Sequence, residues 1–187
     1  MTEVLPIAGD IINDLSALPT GEIAAICARH GAALIVMHSV GQPKVPHTHI
    51  GYADIMTTLR EFFAQKIALA AASGLSAEHL ILDPGIDFAK QADDNLTIYR
   101  ETAQLLVHER PILLPVSRKT VIHHVLDQPN PNDRDPGTVA SIMAGMSRGA
   151  HIFRVHNVTA AVQSISTLFA LQEASQKHVQ SASTVGC

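Results

Sequence analysis

The chain has 187 residues, of which 47% are hydrophobic and 16% are charged, and it contains no tryptophan. This length and composition predict one α/β domain that is large enough to bury a sizeable core. The net charge of -4 disfavours nucleic acid as a partner, because no basic stripe can neutralise phosphates. The apolar stretches are far shorter than the roughly 18 residues of a membrane span, so no membrane partner is predicted.

The cysteines and the first residues indicate a cytoplasmic protein. Cys27 and Cys187 are the only cysteines, which predicts no disulfide scaffold and a reducing compartment. The opening residues MTEVLPIAGD lack a basic region followed by a long apolar one, so no signal peptide is expected.

Strands and helices alternate along the sequence. Apolar runs predict strands near residues 10–13, 33–37, 79–83, 111–116 and 151–155. Helical periodicity predicts helices near residues 20–30, 52–73, 93–108, 138–148 and 158–174. A crossover helix after each strand requires parallel pairing and right-handed connections. This pattern fits an open doubly wound sheet and part of a barrel equally well.

Local signals refine the element boundaries. Asp54 is a predicted N-terminal cap, and segment 128–137 is predicted to be a loop because Pro, Asn and Asp dominate it. We predict a domain over residues 1–175 and a flexible tail over residues 176–187. Three glycines are predicted to end helices, namely Gly31, Gly74 and Gly149.

Polar residues follow most of the predicted strands. Asp83 ends the third strand ahead of a Pro-Gly turn, and Ser117, Arg118 and Lys119 follow the fourth. Because the carboxyl ends of parallel strands meet at one edge of a sheet, we expect a single site there. The other candidates at this edge are Asn13, Met37, Arg154 and His156.

Asp83 is the strongest single candidate. A carboxylate at a buried strand end needs donors, and its two oxygens can accept a bidentate pair from an amidine-like N–H edge. Alternatively, Asp83 caps a loop or pairs with Lys119 or Arg118. Asn13 offers a donor and an acceptor to the same kind of heterocycle, or else is a turn residue.

Cations and hydroxyls cluster around the last two predicted strands. Residues 117–120 combine two cations with two hydroxyls at a predicted helix start, which suits an anion or a helix cap with solvated charges. Arg154 and His156 are two residues apart on a strand and therefore share one face. An arginine there requires an anion, a flat ring to stack on, or an ion pair.

Two histidine pairs are weak metal-ligand candidates. His47 with His49, and His123 with His124, have no further ligand at a recognisable spacing, so loop or surface positions are predicted for them. The sequence contains no GxGxxG and no GxxxxGK[ST] motif. Nucleotide binding of the usual kinds is therefore disfavoured.

In their order along the chain, these strand ends resemble the dihydropteroate synthase family. The resemblance covers about residues 8 to 170, and the SRK element favours the synthases over corrinoid-linked methyltransferases that also bind pterins. It implies a (β/α)8 TIM-barrel type of fold, of which this chain holds about five C-terminal βα units. The matching motifs are IIND at 11–14, MH at 37–38 with the Gly-x-Pro turn at 41–43, LDPGIDFAK at 82–90, DNL at 94–96, PVSRKT at 115–120, Gly137-Thr138 and RVHN at 154–157.

The resemblance implies a transferase of folate biosynthesis, which condenses a dihydropterin diphosphate with p-aminobenzoate and releases pyrophosphate. Asn13 and Asp83 would hydrogen-bond the pyrimidine edge of the pterin. Met37 and Phe88 would line its pocket, and Arg154 would stack on its ring.

The same resemblance implies roles for the residues around the second substrate and the diphosphate. Lys119 would contact the pterin and, with Phe88 and Thr120, would flank p-aminobenzoate, while Ser117 belongs to the substrate-binding residues. Arg154 and His156 would hold the diphosphate. The residues expected to be catalytic are Lys119, Arg154 and His156.

Several features depart from the family pattern. Asp87 and Ala89 stand where the family usually has glycine, and Asn157 stands where it typically has aspartate. The first change adds a carboxylate near a doubly phosphorylated substrate, and both glycine replacements restrict the backbone.

The largest departure is the absence of the family's first three βα units. Those units carry a magnesium ligand, so Mg²⁺ is expected for the family while its protein ligand is absent from this chain. Five strands leave two unpaired edges, which predicts a homo-oligomer or a complementing N-terminal piece. The alternatives to an active synthase are a non-catalytic pterin-binding module and a partner subunit of a full-length homologue.

Overall fold

The computed structural model describes residues 9–41 and 50–183, in which parallel strands alternate with helices. The strands are β1 (Ile11–Asp14), β2 (Ala33–Met37), β3 (Leu80–Asp83), β4 (Leu113–Leu114) and β5 (Ile152–Phe153). The α-helices are α1 (Glu22–His30), α2 (Ile55–Ala72), α3 (Ala92–Glu101), α4 (Thr120–Leu126), α5 (Asp135–Met146) and α6 (Val158–Ser183). Short 3-10 helices cover Ala77–His79, Thr102–His108 and Pro131–Arg134.

The strands lie side by side in the order in which the chain visits them. β1 pairs with β2, β2 with β3 and β4 with β5, always in parallel. A parallel bridge between Leu82 and Ile112 connects β3 to β4. Doubly wound sheets reverse their strand order at a switch point, whereas barrels keep it sequential. The observed order therefore confirms part of a TIM barrel and excludes the doubly wound alternative.

Both faces of the central strands are buried. On the inner face of the barrel wall, Ile35, Ile81 and Leu113 pack together, with the partly buried Ile152 beside them. On the other face, two larger apolar clusters fill the space between the strands and the helices. Burial on both faces explains why β2 and β3 are continuous runs of branched apolar residues. The inner face is the one that leads to the candidate site.

Several element predictions differ from the structure. The helix start predicted at residues 117–120 is that of α4, which continues through residues 120–126, where no helix was predicted. The predicted loop over 128–137 contains a 3-10 helix and the start of α5. Pro136 lies in the first turn of α5, where its missing N–H is not needed. β4 is shorter than predicted because Pro111 and Pro115 cannot donate ladder hydrogen bonds on either side of it.

The predicted helix caps are confirmed. The Asp54 carboxylate accepts hydrogen bonds from the amides of Met56 at 2.9 Å and Thr57 at 3.2 Å. Gly31, Gly74 and Gly149 have φ angles of 66°, 86° and 86°, the left-handed conformation that ends a helix.

The long α6 crosses the domain boundary that was predicted at residue 175. The flexibility of the tail over 176–187 stays a prediction, and residues 184–187 lie outside the described residues. Within the described ranges, no helix combines the length and the apolar character needed to cross a membrane.

Candidate functional site

The candidate site lies at the carboxyl ends of the strands. Asp83 ends β3 directly opposite Met37, which ends β2. Both side chains are buried, with 3% and 1% of their surfaces exposed. Asn13 lies opposite Ile35, on the same inner face but two residues nearer the middle of the sheet, and it is exposed. The structure therefore places Asn13, Met37 and Asp83 on one face of the barrel wall.

Asp83 is a buried carboxyl group surrounded by positive charge. Burial raises its pKa to about 6, while a 2.8 Å hydrogen bond from the Gly85 amide lowers it. The charges of Lys119, Lys90 and Arg154 also lower this pKa. Near neutral pH the group is therefore mostly an anion with unused acceptor capacity, since its Oδ1 accepts from one backbone amide.

Lys119 extends from the start of α4 toward the loop that follows β3. Its ammonium donates to the carbonyl oxygen of Ile86 at 2.8 Å and lies 5.0 Å from the centre of the Phe88 ring. Burial lowers the pKa of Lys119, and the carboxylates of Asp87 and Asp83 raise it. The Phe88 ring and the Lys119 ammonium are thus in contact, and Lys119 lies close enough to Asp83 for their charges to interact.

A second lysine fixes the loop between β3 and α3. The Lys90 ammonium donates to the carbonyl oxygens of Gly85 and Phe88, at 3.0 Å each, and lies 2.9 Å from Nδ1 of His38. Burial lowers the pKa of Lys90 to about 7, and the nearby Asp83 carboxylate raises it. The sequence analysis missed Lys90. Its position as a lysine at the end of the LDPGIDFAK segment could have indicated a structural role.

The same loop contains three residues in the left-handed conformation. Gly85, Asp87 and Ala89 have φ angles of 69°, 66° and 50°. A Cβ atom at Gly85 would lie 2.1 Å from the carbonyl oxygen of His38, so only glycine fits there. At Asp87 and Ala89 the chain accepts backbone strain, which explains in physical terms why glycine suits these positions.

Ser117 and His156 are hydrogen-bonded to each other across the ends of β4 and β5. The Ser117 Oγ lies 2.7 Å from Nδ1 of His156 and accepts a 3.1 Å hydrogen bond from the His156 amide. The His156 tautomer sets whether Oγ donates to Nδ1 or accepts from it, because a hydroxyl oxygen has a second lone pair besides the one used by the amide. Arg154 is exposed two residues earlier, and its amide donates to the Leu114 carbonyl oxygen at 3.3 Å.

Arg118 is directed away from the site. Its guanidinium forms an ion pair with Asp135, through contacts of 2.8 and 3.2 Å, and donates to Asn132 at 2.8 Å. The alternative that Asp83 pairs with Arg118 is therefore wrong. Asn157, where the family typically has aspartate, donates to the same Asp135 carboxylate at 3.0 Å.

The buried Arg134 supports the loop that carries Lys119, and the sequence reasoning missed it. Its guanidinium donates to the backbone carbonyl oxygens of Gln128, Pro129 and Arg118 at 2.8, 2.6 and 3.0 Å. Its position inside a segment that looked like an irregular loop gave no sequence signal for such a role.

The histidine pairs and one short motif lie outside the candidate site. His47 and His49 fall outside the described residues, and His123 and His124 lie in the last turn of α4. No three metal-ligating side chains come together among residues 9–41 and 50–183. The GxSxG sequence at 145–149 ends helix α5 instead of forming a strand-to-helix turn, so it is not a nucleophile elbow.

The residues at the carboxyl ends of the strands do not fit a magnesium site. Magnesium is held by oxygen ligands such as carboxylates together with waters, whereas the charge of Asp83 is already offset by the charges of Lys119, Lys90 and Arg154. Among the described residues, no three His, Cys, Asp or Glu side chains come together to hold a metal ion.

The fold and the edge chemistry together define a class of protein. Consecutive parallel βα units with chemically able side chains at the carboxyl ends of their strands are typical of TIM-barrel enzymes, whose active sites lie at that edge. The family model described as "Pterin binding enzyme" matches residues 1–156. The chain therefore belongs to the pterin-binding enzyme family, as its motifs predicted.

Three known proteins illustrate the similarity. The dihydropteroate synthase of Synechocystis sp. is 40% identical over 162 residues, which are 86% of this chain and 56% of the relative. The crystal structure of dihydropteroate synthase from Stenotrophomonas maltophilia has a TM-score of 0.87 at 26% identity, covering 92% of this chain and 66% of that one. The Thermus thermophilus synthase in complex with 4-aminobenzoate has a TM-score of 0.86 at 29% identity, covering 91% and 69%. The chain thus spans a little over half the length of its Synechocystis relative.

Proposed function

We propose that this chain forms the pterin-binding wall of a dihydropteroate synthase, a transferase of folate biosynthesis. The observation that carries the proposal is Asp83, a buried carboxylate whose charge is offset by Lys119, Lys90 and Arg154. Such a carboxylate suits the paired N–H donors of an aminopyrimidine ring, and the exposed Arg154 suits an attached diphosphate. The similar synthase from Thermus thermophilus is described in complex with 4-aminobenzoate, which supports the second substrate.

In the proposed reaction, the amine nitrogen of p-aminobenzoate attacks the methylene carbon of the dihydropterin diphosphate. The new C–N bond forms while the C–O bond to the diphosphate breaks, pyrophosphate leaves with the bonding electrons, and the amine loses a proton to solvent. The barrier is lowered by holding the two substrates in line and by stabilising the charge that develops on the leaving group.

The proposed roles divide the edge of the barrel wall into a part for the pterin, a part for the diphosphate and a part for the arylamine. Asp83 and Asn13 hold the pyrimidine edge of the pterin, and Met37 covers its ring from the end of β2. Arg154 and His156 hold the diphosphate, and the hydrogen bond between Ser117 and His156 orients the His156 ring.

Lys119 links the pterin part of the site to the part for the arylamine. Its ammonium stays near Asp83, while its stem, the Phe88 ring and Thr120 flank the aromatic substrate. Because burial lowers the pKa of Lys119, this cation is held at a cost in solvation that an anionic ligand would offset.

The remaining expectations belong to the same proposal. Magnesium dependence and a cytoplasmic location stay predictions, as does a second copy or a complementing piece that completes the barrel. The requirement for magnesium is tested by product formation with and without a chelator, using the chain together with any complementing units.

Calorimetry with a pterin tests the proposal most directly. We expect the chain to bind a 6-hydroxymethyl pterin, and Asp83→Asn to weaken that binding by about 2–3 kcal/mol because a charged hydrogen-bond acceptor is lost. Asp93→Asn is the matched control, since Asp93 is an exposed carboxylate at the start of α3. Equal affinities of the wild-type and Asp83→Asn chains would contradict the proposal.

A non-catalytic pterin-binding module is the second candidate function. Pterin binding that occurs without formation of dihydropteroate, even after complementing units are supplied, would support the module over the synthase.

A further inference from the structure

Asp87 places its carboxylate on the first amides of helix α4. Its Oδ2 accepts a short hydrogen bond from the Thr120 amide, and its Oδ1 accepts from the Val121 amide at 3.3 Å. The residue that precedes α4, Lys119, provides no side-chain cap of its own. The N-terminus of α4 is therefore capped by a residue 33 positions earlier, in the loop that follows β3.

The carboxylate of Asp87 is held from its other side by Asn95. The Asp87 amide donates to the Asn95 Oδ1 at 2.9 Å, and the Asn95 Nδ2 donates back to the Asp87 Oδ1 at 3.2 Å. Asn95 is itself buried and is fixed by a 3.0 Å hydrogen bond to the Gln91 carbonyl oxygen. The left-handed backbone of Asp87, with φ of 66°, turns the side chain in this direction. These contacts define one carboxylate position.

Together, the contacts of residues 86 and 87 join two loops of the site. The Lys119 ammonium donates to the Ile86 carbonyl oxygen at 2.8 Å, immediately beside the two amide contacts of Asp87. The loop after β3 follows Asp83, whereas the loop after β4 carries Lys119 and Thr120. Displacement of either loop would break several polar contacts at once, so the loops hold a common geometry.

We propose that Asp87 is a positioning residue, which sets Lys119 and Thr120 against the Asp83 loop by capping α4 from outside that helix. This inference rests on the proposed function, in which Lys119 and Thr120 flank the arylamine. The α4 amides also partly compensate the charge of the Asp87 carboxylate, which reduces its repulsion of a phosphorylated substrate. The helix α4 has seven residues, and its β-branched start gives it little helical preference of its own.

The first arm of the test follows the α4 amides by NMR and hydrogen exchange in the full 187-residue chain. Asp87→Gly removes the carboxylate and suits the left-handed backbone, whereas Asp87→Asn keeps an amide oxygen that can still accept from the α4 amides. In Asp87→Gly we expect the Thr120 amide proton to move upfield and to exchange about tenfold faster, in line with the loss of a helix cap. Asp93→Asn, which removes an exposed carboxylate nearby, should leave Thr120 unchanged. An unchanged Thr120 signal in Asp87→Gly would overturn the cap.

The second arm measures ligand affinity by calorimetry, first for a pterin and then for p-aminobenzoate with the pterin present. Asp87→Gly should weaken p-aminobenzoate binding about tenfold and should weaken pterin binding less than Lys119→Met does, because it displaces the Lys119 ammonium without removing it. Asp87→Asn should have a smaller effect on p-aminobenzoate, since its amide oxygen can still cap α4. Equal p-aminobenzoate affinities in wild type and Asp87→Gly would overturn the positioning role. If the wild-type chain binds no p-aminobenzoate, the positioning role fails with the proposed function, and the first arm still decides whether the cap exists.

Discussion

The Lys90 ammonium donates a hydrogen bond to Nδ1 of His38 over 2.9 Å, which connects the end of β2 to the loop after β3. Burial lowers the pKa of His38 to about 3, and the Lys90 charge acts in the same direction. The ring is therefore neutral near physiological pH and serves as the acceptor. Because Lys90 also donates to Gly85 and Phe88, this one cation holds the backbone on both sides of the turn that follows Asp83.

Replacing Lys90 by methionine should destabilise the fold. The substitution leaves the acceptors of His38, Gly85 and Phe88 without their donor in a largely buried place, and each unsatisfied buried group costs about 1–3 kcal/mol. We expect the free energy of unfolding to fall by about 3 kcal/mol, as measured by urea denaturation. The pKa of Asp83 should rise further, since one of the cations that lower it is lost.

Lys66→Met is the matched control for this prediction. Lys66 is also a partly buried lysine, but its ammonium donates to a single carbonyl, that of Leu18, at 2.9 Å. Its loss should cost about 1 kcal/mol. Equal costs for the two substitutions would show that the number of acceptors around Lys90 is unimportant.

Pterin affinity should depend on the ionisation of Asp83. A pyrimidine edge that presents two N–H donors needs the charged carboxylate, and the pKa of Asp83 is about 6. At pH 5 about one tenth of the groups are ionised, so affinity should be about tenfold lower than its plateau above pH 7. Lys90, with a pKa of about 7, is protonated through most of this window. Calorimetry from pH 5 to 7 measures the profile, and a flat profile in wild type would contradict the assigned role.

The same ionisation should appear in the stability of the ligand-free chain. The folded-state pKa of Asp83 is raised from 3.8 to about 6, so the folded chain binds more protons than the unfolded chain in this interval. Stability from this group is present at low pH and is lost as the pH rises through about 6. The Tm of Asp83→Asn minus the Tm of wild type should therefore increase as the pH rises from 4 to 6. A Tm difference that stays constant over this range would contradict the raised pKa.

The sequence predicted the barrel wall because each strand carries its own signal. Runs such as LIVM at 34–37 and LIL at 80–82 are apolar on both faces, and the polar residue that follows each run marks the carboxyl edge. Beyond its predicted start, helix α4 gave no such signal, because its first residues are β-branched and its cap, Asp87, lies 33 residues away. Tertiary contacts of this kind override local propensity and cannot be read from a local pattern.

The directions of the Arg118 and Lys119 side chains also could not be predicted from the sequence. Arg118 and Lys119 are adjacent cations after one strand, yet the first pairs with Asp135 and the second points to the loop after β3. The left-handed φ of 57° at Arg118 separates their directions. A non-glycine residue in this conformation depends on surrounding contacts, among which the Arg134 hydrogen bonds to the backbone of 118 and 119 are prominent.

Substitution of these two cations should have clearly different effects on pterin binding. Lys119→Met removes the cation beside Asp83 and should weaken pterin affinity at least tenfold, corresponding to about 1.4 kcal/mol or more. Arg118→Met removes a partly exposed ion pair with Asp135 and should change the free energy of unfolding little. Its pterin affinity should stay within about twofold of wild type. Calorimetry measures the pterin affinity of both variants. A larger loss of pterin affinity in Arg118→Met than in Lys119→Met would show that Lys119 is not the cation that binds the ligand.

Exposed apolar side chains predict that the isolated chain associates, with itself or with complementing βα units. Ile11 is 52% exposed on the inner face of β1, and Val158, Val162 and Phe169 are 60%, 57% and 53% exposed on α6. The three residues of α6 are spaced by four and seven positions and therefore share one face of the helix. Monomeric proteins rarely leave such a stripe and an open strand edge uncovered.

Size-exclusion chromatography with light scattering measures this association. We expect the wild-type chain to elute above its monomer mass of 20.0 kDa, or to shift to a larger species when complementing units are added. Val162→Lys should reduce the association, because a charge at the centre of the stripe is costly to bury. Val107→Lys is the control, since Val107 is 68% exposed on the separate 3-10 helix over Thr102–His108. If the wild-type chain elutes as a compact monomer, does not change mass when complementing units are added, and elutes like Val162→Lys, then this face of α6 is not an association surface.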